Sequence, residues 1–182
     1  SADLVIFPEL ALCGYPPEDL LLRRALYTQI ESSLQQLEHV SDEIGIIIGF
    51  PKWTEQGIYN ACSFIQNGIQ QSTYYKQNLP NYGVFDEKRY FSPGLDSCLI
   101  DLQGIPTALS ICEDLWTPKV AKQAEQAGAR LLININASPY HADKLAEREK
   151  ILAERVHATG LNIIYLNLVG AQDELVFDGA SM

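Results

Sequence analysis

The sequence predicts an α/β domain, and three observations carry that expectation. Short β-branched runs alternate with amphipathic stretches; two of the amphipathic stretches end on glycine, at Gly128 and Gly160; and an Asn-Gly pair, Asn67-Gly68, separates two strand-like runs. A chain of 182 residues with 47% hydrophobic residues can bury one substantial core, so a single domain over 1–182 is expected.

The elements follow in order. Leu4 to Phe7 is a short buried strand ending at Pro8. Leu26, Ile30, Leu34, Leu37 and Val40 recur at three- and four-residue steps and share one face of a helix. Ile44 to Phe50 is apolar throughout, as a strand covered on both faces would be. Between Tyr59 and Tyr75 the Asn67-Gly68 pair predicts a β-hairpin, because both residues tolerate positive φ, and Lys76 falls just past its second strand. Strands are predicted at Ser97 to Leu102 and Thr107 to Ile111, which puts Cys112 at the carboxyl end of a strand. Thr117-Pro118 opens a helix that Gly128 stops. Leu131 to Ile135 is a strand, Ala142 to Thr159 a helix ended by Gly160, and Asn162 to Val169 a further strand. Asp178-Gly179 reads as a hairpin turn whose second strand would lie after Met182.

Composition excludes several function classes. A formal net charge of −10 argues against a nucleic-acid backbone or an anionic membrane surface as partner. The longest apolar runs are too short to span a bilayer, and the first residues show no signal-peptide pattern. Cys13, Cys62, Cys98 and Cys112 lack zinc-type or paired spacing, and a chain of this size folds without disulfides, so a reducing cytoplasmic setting is expected. His39, His141 and His157 share no ligand spacing, and no metal site is expected.

The chemistry rests on three strand ends. A strand-terminal cysteine can be a nucleophile, exposed by the following turn, or simply a buried structural residue. Glu113 and Asp114 directly after Cys112 tilt the balance, because two acids following an apolar strand are costly to bury without a purpose. Glu9 after Ile6-Phe7-Pro8 and Lys76 after the hairpin each read equally well as surface charges; only the three together are informative.

Those residues lie in segments that resemble a known family. Phe7-Pro8-Glu9-Leu10, the stretch from Lys76 through Leu79-Pro80, Tyr82, Phe85, Glu87 and Arg89 to Phe91, and Ser110-Ile111-Cys112-Glu113-Asp114 are similar to the three signature segments of the nitrilase, or carbon-nitrogen hydrolase, superfamily. Leu12 to Leu20, Cys112-Glu113-Asp114 and Asn136-Ala137-Ser138-Pro139-Tyr140 narrow the resemblance to the glutaminase domain of glutamine-dependent NAD synthetases. The resemblance implies a nitrilase-like αββα sandwich, here expected to be truncated at both ends, with its first and last strands before Ser1 and after Met182.

It also implies roles. Glu9 is the expected base, Cys112 the nucleophile, Lys76 the cation facing the oxyanion, and Glu87 the carboxylate that orients Lys76. Tyr82, Ser138 and Lys144 occupy positions that bind glutamine, with Glu113, Tyr15, Phe85 and Trp116 as further pocket residues. Some relatives carry Arg where this chain has Lys144, which exchanges a bidentate fork for a point charge. Glutamine hydrolysis is expected to need no cofactor. ATP and Mg are expected for an ATP-dependent synthetase domain elsewhere on the parent chain, since no Ser-Gly-Gly-type phosphate loop occurs here. A homo-oligomer is the expected assembly. A free-standing amidase for another small amide, and a catalytically silent scaffold, are the competing readings. Substrate profile separates the first, and the presence of all three catalytic residue types weighs against the second.

Overall fold

The structure, a computed structural model, describes residues 2–182. In chain order the elements are β1 (Leu4–Ile6), α1 (Arg24–Val40), β2 (Gly45–Thr54), β3 (Gly57–Gln66), β4 (Ile69–Tyr75), β5 (Leu99–Leu102), β6 (Ile105–Ile111), α2 (Pro118–Gln126), β7 (Leu131–Asn136), α3 (Lys144–Thr159), β8 (Asn162–Asn167), β9 (Val169–Gln172) and β10 (Leu175–Asp178). Short 3-10 turns occupy Glu18–Leu22, Glu87–Arg89 and Cys112–Leu115.

Strands β1-β2-β3-β4 form one sheet and β5-β6-β7-β8 a second. Strand β1 runs parallel to β2, while β2, β3 and β4 are antiparallel neighbours. In the second sheet β6, β7 and β8 are parallel, because α2 and α3 return the chain to the same edge each time, and β5 is antiparallel to β6. The two sheets meet face to face over Ile47, Phe64 and Tyr74 from the first and Leu109, Ile111, Ile133 and Ile135 from the second. Alternation along β2 sends Ile46, Ile48 and Phe50 to the opposite face, where Ile30 and Leu34 of α1 cover them. Ala108 and Leu132 on the outer face of the second sheet meet Ala121 and Ala124 of α2 and Leu152 of α3. The layers are therefore α-β-β-α, the arrangement expected. No helix among the described residues is long and apolar enough to cross a membrane.

Several boundaries differ from expectation. Strand β2 continues through Pro51 to Thr54 and turns into β3, making a second hairpin that the sequence reading ended at Phe50. Pro51 is tolerated there because its partner Asn60 directs its carbonyl to Lys76 on the far side, 2.9 Å away. The Pro51–Asn60 pair is thus non-hydrogen-bonded, and the missing N–H costs no rung. The Asp178-Gly179 hairpin does not form. The hairpin is β9–β10, turning at Asp173 (φ 51), one element earlier. Gly179 (φ 67) instead brings the chain back along β8, where Met182 and Tyr165 exchange backbone bonds of 2.7 and 2.9 Å. Helix α3 starts at Lys144 rather than Ala142, because Asp143 is left-handed (φ 67).

Candidate active site

Three polypeptide arms converge at one end of the sandwich. The first is the corner after β1. Glu9 is 1% exposed, and its neighbour Leu10 takes a left-handed conformation (φ 51) that turns the chain sharply. The corner packs directly on Gly49 of β2: a Cβ there would lie 2.5 Å from the Pro8 carbonyl oxygen and 2.8 Å from the Glu9 Cα. Glycine is needed at 49 for close backbone approach, so the corner can rest on the sheet.

The second arm is the segment after β4. The Lys76 ammonium is fully buried and donates to Glu9 Oε1 at 2.7 Å and Glu87 Oε1 at 2.8 Å. Burial works against the charged form, but Glu87 and Glu9 outweigh it and hold the ammonium well above the ordinary lysine range. Glu87 also accepts from the Tyr15 hydroxyl at 2.9 Å. Burial pushes the Glu87 carboxyl up, to about 7, with Lys76 opposing and Glu9 adding to the rise. Glu9 is further fixed by Asn60 Nδ2 at 2.8 Å on Oε1 and by the Ala137 N–H at 2.9 Å on Oε2.

The third arm is the turn after β6. Cys112 is 5% exposed and left-handed (φ 43), an uncommon conformation for a residue with a side chain. Burial raises its thiol pKa well above the cysteine range; Glu9, Glu87 and Glu113 add to this and Lys76 opposes it. Burial thus favours the neutral S–H form, and Glu9 is the charged group that reinforces it most.

A second group of residues flanks the thiol on the outside. The Tyr82 hydroxyl sits 3.0 Å from both Glu113 carboxylate oxygens, and Phe85 packs edge-on against Tyr82. Lys144 Nζ lies 3.7 Å above the Trp116 ring and 3.3 Å from Glu147 Oε2. Tyr82, Glu113, Trp116 and Lys144 thus form charged and aromatic pairs beside Cys112. Tyr15 and Ser138 are placed differently from simple pocket walls. Tyr15 is buried with its hydroxyl committed to Glu87, and Ser138 is buried with its carbonyl and Oγ taken by Arg148 Nη2 at 2.9 and 3.3 Å. Arg148 is itself buried and forms a pair of bonds of 2.8 and 3.0 Å to Asp178, tying the Ser138 loop to α3 and β10.

Sequence reasoning passed over Asn60, Glu147 and Arg148, and marked Asp114 only as a costly acid close after Cys112. A lone Asn inside a strand carries no signal. Arg148 was detectable only as a charge on the apolar side of a helix, beside Leu152.

The site gathers a buried thiol, a buried carboxylate and a buried ammonium at one end of the sandwich. The description "Carbon-nitrogen hydrolase" belongs to the family whose sequence pattern matches residues 1–182. The glutamine-dependent NAD(+) synthetase of Xanthomonas campestris pv. campestris is 46% identical over 184 residues, covering 100% of this chain and 33% of that protein. The Aquifex aeolicus protein of the same description is 43% identical, covering 100% of this chain and 32% of its own length. Among solved structures, the glutamine-dependent NAD+ synthetase from Acinetobacter baumannii superposes with a TM-score of 0.94 at 42% identity, over 99% of this chain and 34% of that one. An amidase from Nesterenkonia sp. superposes with a TM-score of 0.88 at 25% identity, over 100% of this chain and 68% of that one. The chain thus spans about a third of the length of the curated synthetases it matches.

Proposed function

Because the chain belongs to the carbon-nitrogen hydrolase family, we propose that it is a glutamine amidohydrolase, the ammonia-releasing part of a glutamine-dependent NAD synthetase. The observation that carries this reading is the buried Glu9–Lys76–Glu87 ion cluster set against a thiol that burial keeps protonated.

The valences of the cluster suit amide hydrolysis. An ammonium has three protons, and Lys76 gives one each to Glu9 and Glu87, leaving one for a developing oxyanion. A carboxylate offers about four acceptor positions. Three on Glu9 are taken by Lys76, Asn60 and Ala137, and the fourth is free for the Cys112 proton. Glu9 removes that proton as sulfur attacks the carboxamide carbon, and Lys76 faces the negative oxygen. The C–N bond then breaks, Glu9 returns the proton to the nitrogen, and ammonia leaves a thioester on Cys112. Water, deprotonated by Glu9, attacks the thioester and releases glutamate and the thiol.

The outer residues suit a zwitterionic amino acid. Lys144 would meet the glutamine α-carboxylate, Glu113 with Tyr82 the α-ammonium, and Phe85, Trp116, Tyr15 and Ser138 would shape the cavity or hold its frame. Conversion of nicotinic acid adenine dinucleotide to NAD, with its ATP and Mg, would reside in the two thirds of the relatives' length that this chain does not span, in a cytoplasmic homo-oligomer. The Nesterenkonia likeness supports the alternative of a different small amide substrate.

The test is mass spectrometry after incubation with 6-diazo-5-oxo-norleucine, a glutamine-like electrophile. One adduct on Cys112, prevented by free glutamine, is the expected result. Labelling of Cys13, Cys62 or Cys98 instead would refute the assignment, and labelling that glutamine does not prevent would refute the substrate.

A further inference from the structure

We infer that Asp114 is a positioning residue that locks the Lys76 arm against the Cys112 arm, a role that rests on the proposed glutaminase reaction. Lys76 follows a strand of the first sheet and Cys112 a strand of the second, and the two sheets share no hydrogen-bonded ladder. Asp114 joins them. Its carboxylate is fully buried and accepts four hydrogen bonds. Oδ1 takes the N–H groups of Gln77 and Asn78, the two residues after Lys76, at 3.1 and 2.8 Å. Oδ2 takes the Tyr74 hydroxyl at 2.8 Å, two residues before Lys76, and the Ile111 N–H at 3.0 Å, the residue before Cys112.

All three nitrogen partners can only donate, and Tyr74 is positioned to do so, so the group is arranged for an anion with every lone pair used. An amide would turn a hydrogen toward an N–H donor, and a neutral acid could place its proton only on the Tyr74 oxygen, reversing that bond. The Ile111 bond also closes the turn around Cys112, so one carboxylate both supports the left-handed nucleophile and sets its distance from the ammonium. Other bonds join the same arms, Gln77 to Gln123 at 2.9 Å, Asn78 to Thr117 at 2.9 Å and Tyr82 to Glu113 at 3.0 Å, but they involve partly or fully exposed side chains; the first two run to the α2 region, and the third holds the outer rim of the turn rather than the backbone beside Cys112.

The clamp has a proton dependence. Burial raises the Asp114 carboxyl to about 6, while the Ile111 and Asn78 N–H groups, the Tyr74 hydroxyl and the Lys76 charge pull it down. The other titratable group facing it is the Cys62 thiol of β3, which burial keeps neutral. A proton on Asp114 faces three N–H groups that can only donate and a Tyr74 hydroxyl that would have to reverse its bond, so protonation of Asp114 loosens the clamp and contributes to the acid limb of turnover. Removing the Tyr74 hydroxyl takes away one stabiliser of the anion and must move that limb to higher pH.

The experiment uses Asp114→Asn and Tyr74→Phe, with active sites counted by 6-diazo-5-oxo-norleucine adducts so that misfolded protein does not enter the rates. Asp114→Asn is expected to lower kcat per labelled site roughly tenfold or more with the glutamine KM within about twofold, as misplacement of reacting groups does. Tyr74→Phe, which leaves every group near the substrate in place, is expected to raise the acid midpoint of kcat by about half a unit or more. The same midpoint read on alkylation of Cys112 by iodoacetamide must move as well, and that readout holds even if glutamine proves not to be the substrate. A purely structural Asp114 leaves kcat per labelled site unchanged in Asp114→Asn, and an unmoved midpoint in Tyr74→Phe by both readouts overturns the inference directly.

Discussion

Gly49→Ala adds one methyl group to a strand and touches no reacting atom, yet the geometry predicts a large kinetic effect. The new Cβ would stand 2.5 Å from the Pro8 carbonyl oxygen, 2.6 Å from the Leu10 nitrogen and 2.8 Å from the Glu9 Cα. All three are backbone atoms, so no side chain can rotate away. Restoring ordinary contact, at 3.0–3.4 Å or beyond, requires the Glu9 corner to retreat by roughly 0.5–0.9 Å. Glu9 is held by bonds of 2.7, 2.8 and 2.9 Å to Lys76, Asn60 and Ala137, and a shift of that size breaks at least one of them. Displacement of a reacting group by about 1 Å can lower the rate roughly a hundredfold. We therefore expect kcat for glutamine hydrolysis to fall roughly 10- to 100-fold with KM changed far less. Overpacking should also cost ~1–3 kcal/mol of stability. Steady-state ammonia release, normalised to sites labelled on Cys112, separates the two effects. A kcat per labelled site within twofold of wild type would refute the reasoning, because the corner would then not be resting on β2 as described.

Lys144→Ala should raise the glutamine KM roughly ten- to a hundredfold with little change in kcat, the consequence of removing a charged contact worth ~1.5–3 kcal/mol; an unchanged concentration dependence would take Lys144 out of the binding site. Glu87 supplies a prediction about stability. Its folded-state pKa is raised from 4.5 to about 7, so over that interval the folded protein holds a proton that the unfolded chain has lost. Stability from this group is present below about pH 4.5 and is lost as pH rises through about 7. Glu87→Gln cannot titrate, so its melting temperature should decline less between pH 5 and pH 7 than that of the wild type; parallel declines would mean that Glu87 is ionised in the folded state throughout.

Much of the frame was legible because local chemistry and tertiary structure agree. The Asn67-Gly68 turn, the 3.6-residue stripe of α1 from Leu26 to Leu37 and the glycine stops after α2 and α3 appear where the sequence puts them, while Val40, the last residue of α1, is left exposed beyond the core. The misreadings have physical causes. Pro51 looks like a strand end until one sees that its partner points the other way, which depends on register and cannot be read from a single strand. Asp178-Gly179 has the chemistry of a hairpin turn, and Gly179 does turn, but the partner it serves is β8, a neighbour in space. At the candidate site, the sequence segments single out Glu9, Lys76, Glu87 and Cys112, and the fold joins Glu9, Lys76 and Glu87 in one ion cluster. Asn60 and Tyr74 carry no such signal, and Asp114 stands out only as a costly acid without any hint of its partners, because these residues matter through distances that span two sheets.

Two of the left-handed residues, Leu10 and Cys112, flank the candidate site from opposite sheets. For a residue with a Cβ, that conformation is disfavoured by about 1–2 kcal/mol, so together they withhold roughly 2–4 kcal/mol from a fold whose kind is typically stable by only ~5–15 kcal/mol. Natural selection on such a chain pulls in two directions. Drift toward a more durable molecule would relax such corners, with glycine at 112 as one relief and the proposed nucleophile as the loss. Durability and turnover are thus set against each other at two named positions, and the tightly packed inter-sheet core is where the chain can recover what those corners withhold.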